Sequence, residues 1–125
     1  MTEVLLVGAG GFLGAIARYT LGGWIVERTS PGFPYATLLI NVTGCFAIGL
    51  FMTLAVDTFA WPPAVRLFVA VGFLGGYTTF STFGFETMRL IDGGGYGLAL
   101  LNCLASVTAG LIAVWLGMAL GRLIA

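Results

Sequence analysis

Read as apolar and polar positions, the chain divides into four long apolar runs separated by short polar turns. The first extends from Val4 to Ile25, broken only by Arg18; the second, from Tyr35 to Val56, carries no charge. The third lies between Arg66 and Glu86 or slightly beyond, and the fourth runs from Tyr96 to Leu120 and stops at Arg122. Each meets the ~20 residues that a helix needs to cross a bilayer core. The pattern predicts an all-α membrane protein, one domain of four transmembrane helices over residues 1–125. The connectors Glu27 to Pro34, Asp57 to Pro63 and Asp92 to Gly95 are turn-rich and leave little room for a soluble domain. Trp24, Tyr35, Trp61 and Tyr96 fall near span ends, where amphipathic rings anchor at the interface. Trp115 falls outside that belt and is expected to pack between helices.

The stretch Gly72 to Phe83 departs from the smooth pattern. It holds three glycines, Gly72, Gly75 and Gly76, and then Thr78, Thr79, Ser81 and Thr82 among Phe80 and Phe83. Glycine lowers helix propensity and lets the backbone open. Irregular backbone at membrane depth persists only where it is buried in protein or lines a watery cavity. One reading is a third helix broken near its middle, with exposed carbonyls for a cation and a face of hydroxyls and rings beside a narrow path. The same residues also fit a continuous, closely packed helix whose hydroxyls back-bond to their own turn.

Composition narrows the function classes. Only 8% of the residues are charged and 59% are apolar, against ~25% charged in soluble domains. No basic patch points to nucleic acid. There is no histidine, and Cys45 and Cys103 lie apart in apolar spans, so zinc and redox chemistry lack their ligand clusters. Serine without histidine or lysine lacks an activating base, so the chain is not expected to be an enzyme. Glu3 stands where a signal peptide would be basic, and no cleaved leader is expected. Gly8, Gly11 and Gly14 imitate a dinucleotide fingerprint, but proline and an uncharged span follow Glu27 where a second strand should lie. The spacings Gly10-x-x-x-Gly14, Gly72-x-x-x-Gly76 and Gly117-x-x-x-Gly121 point instead to close helix packing.

Charge placement bears on assembly. Four spans put both termini on one side with Arg66 and Arg122, and Arg28 and Arg89 on the other, with Arg18 near it. So little bias lets such a chain insert both ways. Two opposed copies would form an inverted-repeat assembly, closed by a twofold axis in the membrane plane. A dimer would also supply room for a conduit that four packed helices lack.

The polar residues inside the spans suggest what such a conduit would carry. Thr37, Asn41 and Gly44 lie on successive turns of the second span; Asn102 and Ser106 share a face of the fourth. Thr79, Thr82, Phe83 and Glu86 follow helical spacing on the third, and Phe80 and Phe83 lean to one side. Amide and hydroxyl groups donate to an anion, and a phenyl ring is positive at its edge. Such weak, uncharged ligands let an ion enter and leave. Asn41, Asn102 and Ser106 equally fit interhelical hydrogen bonding. Arg18 suits either anion attraction or snorkelling to the interface.

Together these residues resemble the small fluoride channels of the Fluc, or CrcB, family over essentially the whole chain. Gly10-Gly11-x-x-Gly14-Ala15-x-x-Arg18-Tyr19 is similar to its first-span motif. Pro34-Tyr35-Ala36-Thr37-Leu38-x-x-Asn41-x-x-Gly44 resembles its second, with Ala36 where glycine is frequent. Gly75-Gly76-Tyr77-Thr78-Thr79-Phe80-Ser81-Thr82-Phe83 followed by Glu86 is the most diagnostic run, and Asn102 and Ser106 resemble the fourth-span polar positions. The resemblance implies an antiparallel, dual-topology homodimer in the cell membrane, with two fluoride pores and one structural sodium ion at its centre. It assigns the sodium to the carbonyls of Gly75 and Thr78. It assigns the fluoride pore to Asn41, Thr37, Thr79, Ser81, Thr82 and Ser106, with the ring edges of Phe80 and Phe83, and the vestibules to Arg18 and Glu86. A tyrosine found in some relatives before the fourth-span motif matches Leu98 here.

The implied function is passive fluoride export that protects the cell from fluoride toxicity. Hydrogen fluoride crosses lipid as a neutral acid and ionises in the more alkaline interior. An inside-negative potential then drives the anion out, at ~2.3 kcal/mol per charge per 100 mV. The runner-up reading is a small proton-coupled multidrug-type cation exporter, which needs a mid-membrane acid; Glu86 is expected close to a helix end. A purely structural subunit would need no polar track.

Overall fold

A computed structural model describes all residues, Met1 to Ala125. Four helices are long and apolar enough to cross a membrane: Thr2–Val26, Tyr35–Thr58, Pro63–Asp92 and Tyr96–Ile124. They outrun the apolar runs at most ends. The backbone ladder needs no apolar side chain, so each helix continues into interfacial residues until a turn stops it. Their 24 to 30 residues give lengths of roughly 36–45 Å, more than the hydrocarbon core of about 30 Å.

Local chemistry explains the ends. Pro63 opens the third helix at a position whose N–H needs no helical partner. Gly94, at φ +80°, takes the left-handed conformation that closes the turn into the fourth. Arg28 lies over the Trp24 ring, 4.2 Å from its centroid, and donates to the Trp24 carbonyl at 3.1 Å. Trp61 stacks on Phe59 with ring centroids 5.9 Å apart. Trp115 is not packed between helices in this chain: it is 63% exposed on the outer face of the fourth helix. Leu111 and Ile112 on the same helix are also exposed, as expected for a surface solvated by lipid.

The bundle is built from two close pairs, the first helix against the third and the second against the fourth. Glycine permits both. A β-carbon on Gly10 would strike the Phe68 carbonyl, and one on Gly14 the Phe73 carbonyl. From the other side, a β-carbon on Gly76 would lie 2.6 Å from the Gly11 carbonyl. In the second pair, Gly49 abuts the Val114 carbonyl and Gly117 the Phe46 carbonyl. These are backbone-to-backbone approaches, which small residues allow and which van der Waals packing then rewards. A small core of Ile40, Leu74 and Tyr77, flanked by Ala17, Leu21, Ala47 and Phe73, joins the pairs.

The third helix is irregular. Leu67–Leu74 winds as a wide π-type turn, Gly75–Tyr77 is α-helical, and a second α-helical segment runs from Phe80–Asp92. Between them Thr78 (φ −86°, ψ 159°) and Thr79 (φ −151°, ψ 120°) are extended. The whole helix bends by 16°, so its two parts stay nearly collinear. The glycines themselves remain helical; the unwinding begins two residues beyond the last of them, at Thr78, for a reason found in the second helix.

Candidate functional site

Asn41 faces the extended pair. Its Nδ2 donates to the Thr79 carbonyl at 2.8 Å, and the Thr79 N–H donates to its Oδ1 at 2.8 Å. This side chain therefore replaces both ladder partners of one unwound residue, as buried backbone requires. Thr79 also caps the following segment: its Oγ1 accepts from the Thr82 N–H at 3.2 Å and donates to Thr82 Oγ1 at 3.0 Å. Ser81 Oγ is 3.5 Å from Thr79 Oγ1.

Two carbonyls lose their helical donors in consequence. The Thr79 N–H, which would return to Gly75, turns to Asn41; the Thr82 N–H, which would return to Thr78, turns to Thr79 Oγ1. The Thr78 N–H and hydroxyl both donate to the Leu74 carbonyl, at 3.0 and 2.9 Å. The Gly75 and Thr78 carbonyls are thus released from the ladder, as are those of Gly76 and Tyr77 at the same break, and of these four residues Gly75 and Thr78 line one groove. Backbone carbonyls at unwound helix ends are hard oxygen donors of the kind that suits an alkali cation.

That groove, of about 430 Å³, also gathers Asn41, Phe80, Phe83 and Ser106. The Phe80 and Phe83 centroids are 5.6 Å apart and tilted by 40°. Phe80 is 83% exposed in the single chain. A second cavity, of about 720 Å³, holds Arg18, Thr37, Thr79 and Thr82. Thr79 lines both and is the residue at which they meet. Arg18 is half-buried there without a carboxylate partner, since the chain's one ion pair joins Arg28 to Glu27 at 3.7 Å.

The remaining site residues lie further out. Ser81 is exposed and borders none of the larger cavities. Glu86 lines a third cavity with Arg89 and the first connector, and its Oε1 accepts from Thr37 Oγ1 at 2.8 Å. Because the helix continues to Asp92, Glu86 lies nearly two turns before its end, deeper than its place in the apolar run suggested. Asn102, almost wholly buried, faces no pore cavity: its Nδ2 donates to Thr87 Oγ1 at 3.0 Å, and Thr87 donates to the Phe83 carbonyl at 2.7 Å. It is the interhelical bond that was one of its two sequence readings. Thr87 carries no motif, and Tyr77, whose hydroxyl lies 2.8 Å from Thr43 Oγ1, lies in the diagnostic run without a role assigned to it. A threonine that is buried about two turns along a helical segment looks like any other in a sequence.

Fold and site define a multi-pass membrane protein with a groove free of charged side chains beside a locally unwound helix. Residues 5–118 match the family described as "CrcB-like protein, Camphor Resistance (CrcB)", and the chain belongs to that family. A relative from Acidobacterium capsulatum is 52% identical over 96% of both chains. One from Solibacter usitatus is 50% identical over 96% of this chain and 98% of its own. A third, from Geobacter metallireducens, is 44% identical over 98% of both. All three bear the name "Fluoride-specific ion channel FluC".

Proposed function

We infer that this chain is a fluoride channel that lets the anion leave the cell passively and so protects against fluoride toxicity. The observation that carries this reading is the groove itself. Amide, hydroxyl and phenyl groups from Asn41, Thr79, Ser106, Phe80 and Phe83 converge there without one fixed charge. Hydroxyls and ring edges compensate part of a small anion's lost hydration without trapping it. Arg18, unpaired in the adjoining cavity, raises the local anion concentration, and Thr37 and Thr82 continue the polar lining toward Thr79. Glu86, held by Thr37, stands at the outer end as a vestibule residue. Ser81 joins the hydroxyl track through Thr79.

The working unit is an antiparallel, dual-topology homodimer in the plasma membrane. Carbonyls without ladder partners at mid-span cannot be left against lipid tails. An inverted second copy covers them with its own equivalent surface. Sodium at the dimer centre fits the donor set, with Gly75 and Thr78 of each copy as its ligands; a bound cation would neutralise these carbonyl dipoles and tie the two unwound helices together. Nothing in the groove favours a proton-coupled cation exporter, which needs an acid there.

The test is fluoride efflux from proteoliposomes loaded with fluoride and lacking a proton gradient. Release should be slow until a potassium ionophore supplies the compensating charge, then rapid. Efflux that needs a proton gradient, and ignores the shunt, would remove the channel reading.

A further inference from the structure

Why the third helix unwinds at Thr78 and Thr79, and not at its glycines, is answered from the second helix. Asn41 and Gly44 lie three residues apart on the face turned to the unwound pair. Asn41 holds Thr79 by two bonds of 2.8 Å. Gly44 holds open the space into which Thr78 places its methyl group: a β-carbon on Gly44 would strike Thr78 Cγ2 and lie 3.4 Å from Tyr77 Cδ1. Thr78 cannot simply rotate away. A β-branched side chain has few rotamers, and turning this one would break its 2.9 Å bond to the Leu74 carbonyl.

We propose that the Asn41-x-x-Gly44 turn is a positioning element: it holds Thr78 and Thr79 unwound and thereby sets the affinity of the released Gly75 and Thr78 carbonyls for a cation. The inference rests on the sodium reading given above and adds a cause to it. Without the Asn41 carboxamide, the Thr79 N–H is free to return to the Gly75 carbonyl, and one cation ligand closes into a helical bond. With a methyl group on Gly44, Thr78 must move and carry its carbonyl with it. Asn41 also lines the anion groove, so one side chain shapes both sites.

The experiment is equilibrium binding of radiolabelled sodium to the purified protein in detergent, with size-exclusion chromatography reporting assembly. Asn41→Ser and Gly44→Ala should each weaken sodium binding about tenfold, the factor that one lost hydrogen bond carries. Gly8→Ala, whose new methyl meets nothing within 4 Å, is the packing control. The decisive variant is the double one: Thr78→Ser removes the methyl group that Gly44→Ala strikes. Gly44→Ala should therefore weaken binding much less in a Thr78→Ser background than in the parent.

Unchanged affinity in both single variants, or no recovery in the double variant, would overturn the proposal. A second readout needs no sodium: the Thr79 Cα chemical shift, read by NMR in threonine-labelled protein, should move from its extended value toward a helical one in Asn41→Ser. A shift equally extended in both proteins would refute the clamp. A parent that binds no sodium, yet whose Thr79 backbone depends on Asn41, would defeat the sodium reading and the affinity claim together while leaving the clamp standing.

Discussion

At the scale of single residues, the ring pair and the buried amide separate groups proposed to meet the ion from groups that hold the bundle. Phe80 and Phe83 touch each other, and no hydrogen bond depends on either side chain. Replacing either with isoleucine keeps the bulk and removes the positive ring edge. Phe80→Ile and Phe83→Ile should each slow fluoride efflux by about tenfold or more, since each removes a ring edge proposed to face the ion. Chromatography should still find the assembled protein; full-speed flux in both variants would eliminate the ring edges as ligands. Asn102 makes the opposite case. Asn102→Ala should lower stability by about 1 kcal/mol, and a double-mutant cycle with Thr87→Val should return most of that as coupling. The check is unfolding in mixed detergent, and additive effects would deny the bond its role. Spacing offers the interhelical bond as one of two readings of Asn102 but cannot choose between them or name Thr87: Asn102 and Ser106 share a helix face, yet only Ser106 borders the groove.

At the scale of elements, glycine decides how near two helices come. Gly14→Ala would push a methyl group into the Phe73 carbonyl and the Tyr77 N–H, separating the first helix from the third just before the unwound pair. A loss of about 1–3 kcal/mol is expected for such overpacking. It should appear as a lower unfolding midpoint for Gly14→Ala than for Gly8→Ala; equal midpoints would contradict this packing. The repeated Gly-x-x-x-Gly spacings made these seams legible, because close approach needs small residues at a fixed period whatever the partner. The site of unwinding was not legible in the same way. Gly72, Gly75 and Gly76 permit an opening, but permission does not locate it. Asn41 does, from more than thirty positions earlier in the chain, and no local propensity encodes that pairing. Trp115 escaped for a related reason: a lipid-facing ring and a packed ring have the same apolar neighbours in sequence.

At the scale of the whole molecule, the near-balance of arginines and the uncovered groove are what the proposed pairing of two oppositely inserted copies rests on. A single cysteine placed at Gly32, where an added side chain meets nothing within 4 Å, in a cysteine-free background made by replacing Cys45 and Cys103, tests the insertion. In cells, a membrane-impermeant thiol reagent should label about half of the molecules from outside, and the rest only after permeabilisation. Labelling from one side alone would exclude the antiparallel dimer. The four spans were legible because charge-free runs longer than a bilayer is thick leave few other options.

What all of this supports is selective passage of one small anion through uncharged ligands, and a reversal potential measures that directly. With purified protein in a planar bilayer, fluoride at unequal concentrations and chloride, sodium and protons balanced, the current should reverse near the fluoride equilibrium potential, about 59 mV per tenfold gradient. Reversal near zero, or a reversal that follows chloride, sodium or pH instead, would contradict it.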